Sequence, residues 1–134
     1  MATLVMFGIL FVISMENVVI TASIGSTAFI VFTMPANITA RSRSVIGGHF
    51  LGALFGSLCA LIPHSGPVSG IAVYSASVGL AIFSMVVLDV EHPPAAGTAL
   101  GIAMTGISWS LGLALFFSVC MLSLAHRLEK DFEI

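Results

Sequence analysis

The sequence predicts an all-α integral membrane protein with six membrane helices, two of them short and polar and either crossing or re-entrant, built as two inverted three-helix repeats. Three observations lead there. Of the 134 residues, 58% are hydrophobic and 7% charged, at a mean hydropathy of +1.15, whereas an ordinary soluble domain carries roughly 25% charged residues. Apolar runs of near-span length recur along the whole chain, separated by short polar breaks. Part of the first half also recurs, in degenerate form, in the second.

The first apolar run, Thr3 to Met15, meets Glu16-Asn17 early, which makes a short first span. Residues 18–34 form a second run rich in Ser, Thr and Gly, stopped by Pro35. Residues 35–44, PANITARSRS, concentrate positive charge in Arg41 and Arg43 and read as a cytoplasmic loop. A third span over 45–62 closes at the turn Pro63-His64-Ser65-Gly66-Pro67, and a fourth, the longest clean apolar helix, covers 68–88. Pro94 to about Ile107 is a short fifth helix and Ser108 to His126 a sixth, followed by a mixed-charge tail, 127–134. One membrane domain, 1–134, is the expected count. Crossings counted from Arg41 place both termini in the cytoplasm or stroma, and Arg127 and Lys130 agree.

Residues 53–61, ALFGSLCAL, match 114–122, ALFFSVCML, at six of nine positions, an offset of 61. Upstream, Ser26-Thr27-Ala28-Phe29 lies against Gly97-Thr98-Ala99-Leu100 at an offset of 71, as does Gly8 against Gly79. The ten-residue difference is the basic loop. Repeat 1 is then 3–62 and repeat 2 is 68–126. Three crossings each would orient the halves oppositely about a pseudo-two-fold axis in the membrane plane, an architecture that holds solutes near mid-bilayer. The two short helices, starting near Ser23 and Pro94, would enter from opposite faces.

Polar chemistry concentrates in Glu91-His92-Pro93-Pro94-Ala95-Ala96-Gly97-Thr98. Pro93 and Pro94 stop a helix arriving from Val86–Val90, and Pro94 is well placed to start the next. The amides of Ala95, Ala96 and Gly97 then lack intrahelical acceptors, and with the helix dipole behind them they form an anion-sized cradle. A plain interfacial turn satisfied by water is the alternative.

His92, with an ordinary pKa of about 6.5, can donate to an anion and carry a proton with it. Glu91 either shares that proton, a possible proton-coupling pair, or is a solvated interfacial carboxylate. Thr27 and Thr98, paired by the repeat, either contact solute or bond back to their own helix. His49, inside an apolar helix, faces the interior with a partner, structural or in a pathway.

Gly48, Gly52 and Gly56 fall at small-xxx-small spacing, a close-packing face. Cys59 and Cys120 read as inert buried residues. No two of His49, His64, His92 and His126 have metal-ligand spacing, no cofactor is expected, and nucleophile and phosphate-loop signatures are absent, so no enzyme is expected. A net charge of −2 gives no reason to expect nucleic acid.

The run His92-Pro93-Pro94-Ala95 into Gly97-Thr98-Ala99-Leu100, with Arg43-Ser44-Val45-Ile46-Gly47-Gly48-His49 and Ala22-Ser23-Ile24-Gly25-Ser26, resembles the HPP family of integral membrane proteins over nearly the whole chain. That family is generally described with about four spans, fewer than six, and the difference centres on the short helices. The resemblance implies a bacterial inner-membrane or plastid protein, with nitrite transport associated with some members. The expected function is a transporter or channel for a small monovalent anion, nitrite favoured. Its binding residues would be His92, Pro93, Pro94, Ala95, Ala96, Gly97, Thr98, Ser26, Thr27 and His49, in a homo-oligomer packed partly through glycine faces. The rival is a non-transporting scaffold or sensor whose HPP turn docks a cytoplasmic partner.

Overall fold

The structure, a computed structural model, describes residues 1–13 and 17–132. Its six α-helices are α1 (Ala2–Ile13), α2 (Val18–Thr33), α3 (Ser42–Ala60), α4 (Pro67–Val87), α5 (Pro94–Thr105) and α6 (Trp109–Phe132), with one 3-10 turn, Ile38–Ala40. No strand occurs among the described residues. By length and composition α4 and α6 are candidates to cross a membrane, while α1 and α2 are shorter apolar helices. With 12 residues, α5 is about 18 Å long, well under the roughly 30 Å of a bilayer core. Glu16, expected to close the first span, lies outside the described residues.

Three boundaries differ from the sequence reading. The second helix starts at Val18, not near Ser23, because Asn17 is a side-chain cap: its Oδ1 accepts from the Ile20 amide at 3.1 Å. The fourth helix ends before the prolines act. Asp89 takes the left-handed conformation at φ 54°, the Val90 amide reaches the Met85 carbonyl at 2.9 Å and the Asp89 amide the Val86 carbonyl at 3.3 Å. That is a Schellman ending with Asp89 in the place usually held by glycine. The sixth helix runs through most of the expected tail to Phe132, since nothing in Arg127–Asp131 breaks a helix.

Contacts along α5 fix the helix directions. Moving from Pro94 to Thr105, partners on α2 run backwards, Ser23 to Ile20 to Asn17, so the two are antiparallel. Partners on α3 run forwards, Gly48 to Gly52 to Gly56, so α3 and α5 are parallel. The glycines are what let them approach: a Cβ on Gly48 would sit 2.6 Å from the His92 Cβ, on Gly52 2.5 Å from the Ala95 carbonyl oxygen, and on Gly56 2.8 Å from that of Ala99. The glycine face is therefore used within the chain and is not free to join copies of it.

Around this pair, α4 packs on both α3 and α5, α1 on α2 and α6, and α6 on α2 and α3. One apolar cluster joins Ile9, Ile20, Ile24, Val31, Ile102, Leu115 and Leu122; a second joins Leu51, Ala81, Met85, Val90, Ala95 and Ala99.

The basic loop, the α4–α5 turn and the end of α6 gather at one end of the bundle. There Arg43 Nη2 donates to the Leu88 carbonyl at 3.0 Å, its Nη1 lies 3.7 Å from Asp89, and His126 Nε2 donates to the Pro35 carbonyl at 2.9 Å. At the other end Asn17 Nδ2 donates to Thr105 Oγ1 at 2.9 Å, tying α2 to α5. Asn17 thus serves as both cap and tie, and Asn17→Ala is expected to lower stability by about 1–2 kcal/mol. Thermal unfolding in detergent followed by circular dichroism checks this.

Candidate functional site

The parallel α3–α5 contact and the antiparallel α2–α5 contact share one buried volume, and five polar side chains meet in it. From α2 come Ser23 and Thr27, one turn apart; from α3, His49; from the α4–α5 turn, His92; from α5, Thr98. All are buried, Thr27 and Thr98 completely. Ser, Thr and His left unpartnered there would each cost free energy, and they satisfy one another instead.

Thr27 is the hub. Its Oγ1 lies 2.9 Å from His49 Nε2, 2.9 Å from His92 Nε2 and 3.0 Å from the Ser23 carbonyl. On its other side the His49 ring meets Thr98 Oγ1 through Nδ1 at 2.8 Å. Thr98 Oγ1 is 2.9 Å from Ser23 Oγ, which donates to the Pro94 carbonyl. His92 Nδ1 donates to the Thr39 carbonyl at 2.8 Å. The two imidazoles lie 5.0 Å apart, tilted by 56°.

Local sequence explains the placement. Asn37 holds the 3-10 turn, accepting from the Thr39 amide at 3.0 Å, which aims the Thr39 carbonyl at His92. The Schellman ending of α4 turns the chain back so that His92 enters the interior, while Gly48 gives its Cβ room. Pro93 already has helical angles, φ −51° and ψ −41°.

That early turn alters the expected cradle. The Ala95 amide donates to the His92 carbonyl at 2.9 Å and the Ala96 amide to the Pro93 carbonyl at 3.1 Å, so both are engaged. Ala95 and Pro94 are buried, Pro93 is exposed, Ala96 and Gly97 are half-buried, and Gly97 packs on Ser23.

Of the residues singled out in the sequence, Thr27, His49, His92 and Thr98 come together. Ser26 does not: it is exposed on the outer face of α2. Ser23, three residues earlier and on the face of Thr27, takes that place; the i, i+4 spacing to Thr27 was the signal for it. The His92 nitrogens meet the Thr39 carbonyl and Thr27 Oγ1, so of the two alternatives for Glu91 the proton shared with His92 is not formed in this structure. Cys59 is buried, as expected, but Cys120 is exposed, because α6 turns it outward.

Two cavities flank the cluster. One, of about 300 Å³, lies at the start of α5 and is lined by His92, Glu91, Pro93, Ala96 and the α4 residues Ile82, Met85 and Val86. The other, of about 280 Å³, is a cleft between α3 and α6 in which His49 is surrounded by apolar side chains including Phe50, Leu115, Phe116 and Val119. Each histidine therefore borders a different cavity, and Thr27 bridges the two rings. No group of three or more His, Cys, Asp or Glu able to hold a metal ion occurs among the described residues.

No curated protein and no solved structure matches the chain. Residues 1–129 match the family described as "HPP, transmembrane region". The stretch includes all five cluster residues, and the chain belongs to that family of membrane proteins.

Proposed function

We propose that the protein carries a small monovalent anion across the bilayer, nitrite being the favoured case, and that the Ser23–Thr27–His49–His92–Thr98 cluster is where solute is handled. The observation that carries this reading is the cluster itself. Ionisable and hydroxyl groups gathered at the centre of an apolar bundle are expensive to place there and mark solute or ion pathways. Their donors are of the kind that can replace an anion's hydration shell. The α5 start, its first amides already engaged, contributes a favourable dipole field more than direct hydrogen bonds.

The helix pairings favour the inverted-repeat design. Exchanging α1 with α4, α2 with α5 and α3 with α6 turns α3–α4 into α6–α1, α4–α5 into α1–α2, and α3–α5 into α6–α2, and leaves α2–α5 and α3–α6 unchanged; each of these pairs is packed. The repeat-related Thr27 and Thr98 then flank His49 on its two ring nitrogens. A cluster this enclosed suits a carrier that exchanges internal for solute hydrogen bonds as the halves rock. Termini on the cytoplasmic or stromal side and a homo-oligomer remain part of the proposal.

Nitrite uptake into proteoliposomes tests it. His92→Ala combined with Thr98→Val is expected to cut uptake at least tenfold, roughly the loss of one strong hydrogen bond at the barrier; unchanged uptake would remove the site. The exposed Pro93 favours a second reading, a turn that docks a cytoplasmic partner. Under that reading the double variant has no transport to lose, and wild-type liposomes take up no more nitrite than protein-free ones.

A further inference from the structure

Proton accounting in the cluster leads past the choice of solute. Seven contacts are made: His92 Nδ1 with the Thr39 carbonyl, Thr27 Oγ1 with the Ser23 carbonyl and with Nε2 of each imidazole, His49 Nδ1 with Thr98, Thr98 with Ser23, and Ser23 with the Pro94 carbonyl. Each needs one proton between its atoms. With both imidazoles neutral the five side chains supply one apiece, and the three carbonyls supply none. Two contacts must then set lone pair against lone pair.

The Thr39 carbonyl can only accept, which fixes a proton on His92 Nδ1 and leaves Nε2 bare. With His49 in its Nε2–H tautomer, Thr27 donates to His92 Nε2, His49 donates to Thr27, and Thr98 donates to His49 Nδ1. The shortfall then falls on the Thr27 back-bond to its helix and on Ser23, whose single proton faces both Thr98 and the Pro94 carbonyl. The Nδ1–H tautomer, with His49 donating to Thr98, Thr98 to Ser23 and Ser23 to the Pro94 carbonyl, fills as many contacts, and the relay starts from the Nε2–H form.

We infer that the cluster is a proton relay holding one exchangeable proton, and that the anion crosses together with it; the coupling rests on the transport reading above, the relay does not. Thr98 is completely buried, so loading takes place when rocking of the halves opens the cluster: in the loaded state Thr98 has accepted a proton from solute and given its own to His49 Nδ1. His49 has released its Nε2 proton to Thr27, and Thr27 has released its proton to His92 Nε2. Four O–H or N–H bonds form, on Thr98, His49 Nδ1, Thr27 and His92 Nε2, while three break within the cluster and the fourth in the donor of the incoming proton; the net change is a single proton gained, resident on His92. Six of the seven contacts are then filled with no heavy atom displaced. A second proton would put two imidazolium rings 5.0 Å apart, and their repulsion limits the load to one.

The surroundings are consistent with a single charge. Glu91 shares the cavity beside His92, where α4 contributes only Ile82, Met85 and Val86. Asp89, Arg41 and Arg43 lie beyond Glu91 at the loop end. Helices α2 and α5 bring the hydroxyls of Thr27 and Thr98 to the rings, and Cys120 is among the residues lining the α3–α6 cleft that His49 borders.

The test uses the full chain reconstituted in liposomes of neutral lipid loaded with a pH-sensitive dye, with nitrite added outside and protein-free liposomes as the background. Uptake is expected to acidify the interior by one proton per nitrite above background. In parallel, nitrogen-15 spectra of ring-labelled protein in bilayers are expected to show His49 protonated at Nε2 at high pH and at Nδ1 once His92 gains its second proton. Nitrite uptake without proton movement overturns the coupling and leaves transport standing. No uptake at all refutes the transport reading and the coupling with it. A His49 tautomer that stays the same across the titration overturns the relay, whichever way the uptake falls.

Discussion

Gly52→Ala is expected to destabilise the protein by about 3 kcal/mol, at the upper end of ordinary overpacking costs, and to disable the buried cluster as well. The new Cβ would meet the Ala95 carbonyl oxygen at 2.5 Å, and a backbone oxygen inside a helix has no rotamer to escape into. Helix α5 must retreat by roughly an ångström, since cores this dense transmit displacement instead of absorbing it. Thr98 rides on α5 and His49 sits one turn before Gly52 on α3, so their 2.8 Å contact would open past hydrogen-bond range. Gly79→Ala, on α4 with open space around the position, is the control and is expected to be neutral or stabilising by up to about 1 kcal/mol. Unfolding in mixed micelles compares the two; equal behaviour would mean that the glycine stripe does not set the α3–α5 distance.

Features governed by short-range chemistry could be read in the sequence. Pro94 at the first position of α5, Pro35 after α2, the long α4 and the Gly48–Gly52–Gly56 stripe follow from backbone sterics within a turn or two, and the structure has all of them. Boundaries set by a single side-chain cap were less legible. Asn17 begins α2 and Asp89 ends α4 through hydrogen bonds that depend on dihedral angles, not residue class.

Within the site, Ser26 and Ser23 are separated by helical phase: Ser26 is exposed and Ser23 is buried. Ser26 and Thr27 are neighbours in sequence and face about 100° apart on a helix, whereas Ser23 and Thr27 share a face. The repeat register pointed to Ser26 because it aligns residues, not faces. The pairing of His49 with His92 was not legible, since it depends on α3 and α5 being parallel and in contact. Once that contact exists, the Thr39 carbonyl and the Thr27 hydroxyl have few other partners. Glu91, adjacent to His92 in sequence, was for the same reason a poor guide to the proton: the chain turns between them, and His92 points inward.

Thr27→Val should produce the largest functional loss of any single change, with little change in shape. Valine keeps the branched outline and removes the hydroxyl that touches both imidazole Nε2 atoms. Two buried ring nitrogens would be stranded at about 1–3 kcal/mol each, and the connection between the two histidine cavities would be cut. Nitrite uptake is expected to fall by at least a hundredfold, the equivalent of about 2.7 kcal/mol at the barrier. Thr98→Val removes the contacts with His49 and Ser23 and should lose less, because His49 can still reach Thr27. Thr27→Ser restores the hydroxyl without the methyl and should recover most of the uptake, at a stability cost of about 1 kcal/mol for the lost packing. The order wild type, Ser, then Val is what a hydroxyl hub requires. If Val carried nitrite as well as Thr, or Ser failed as completely as Val, position 27 would matter for its packing and not for its proton.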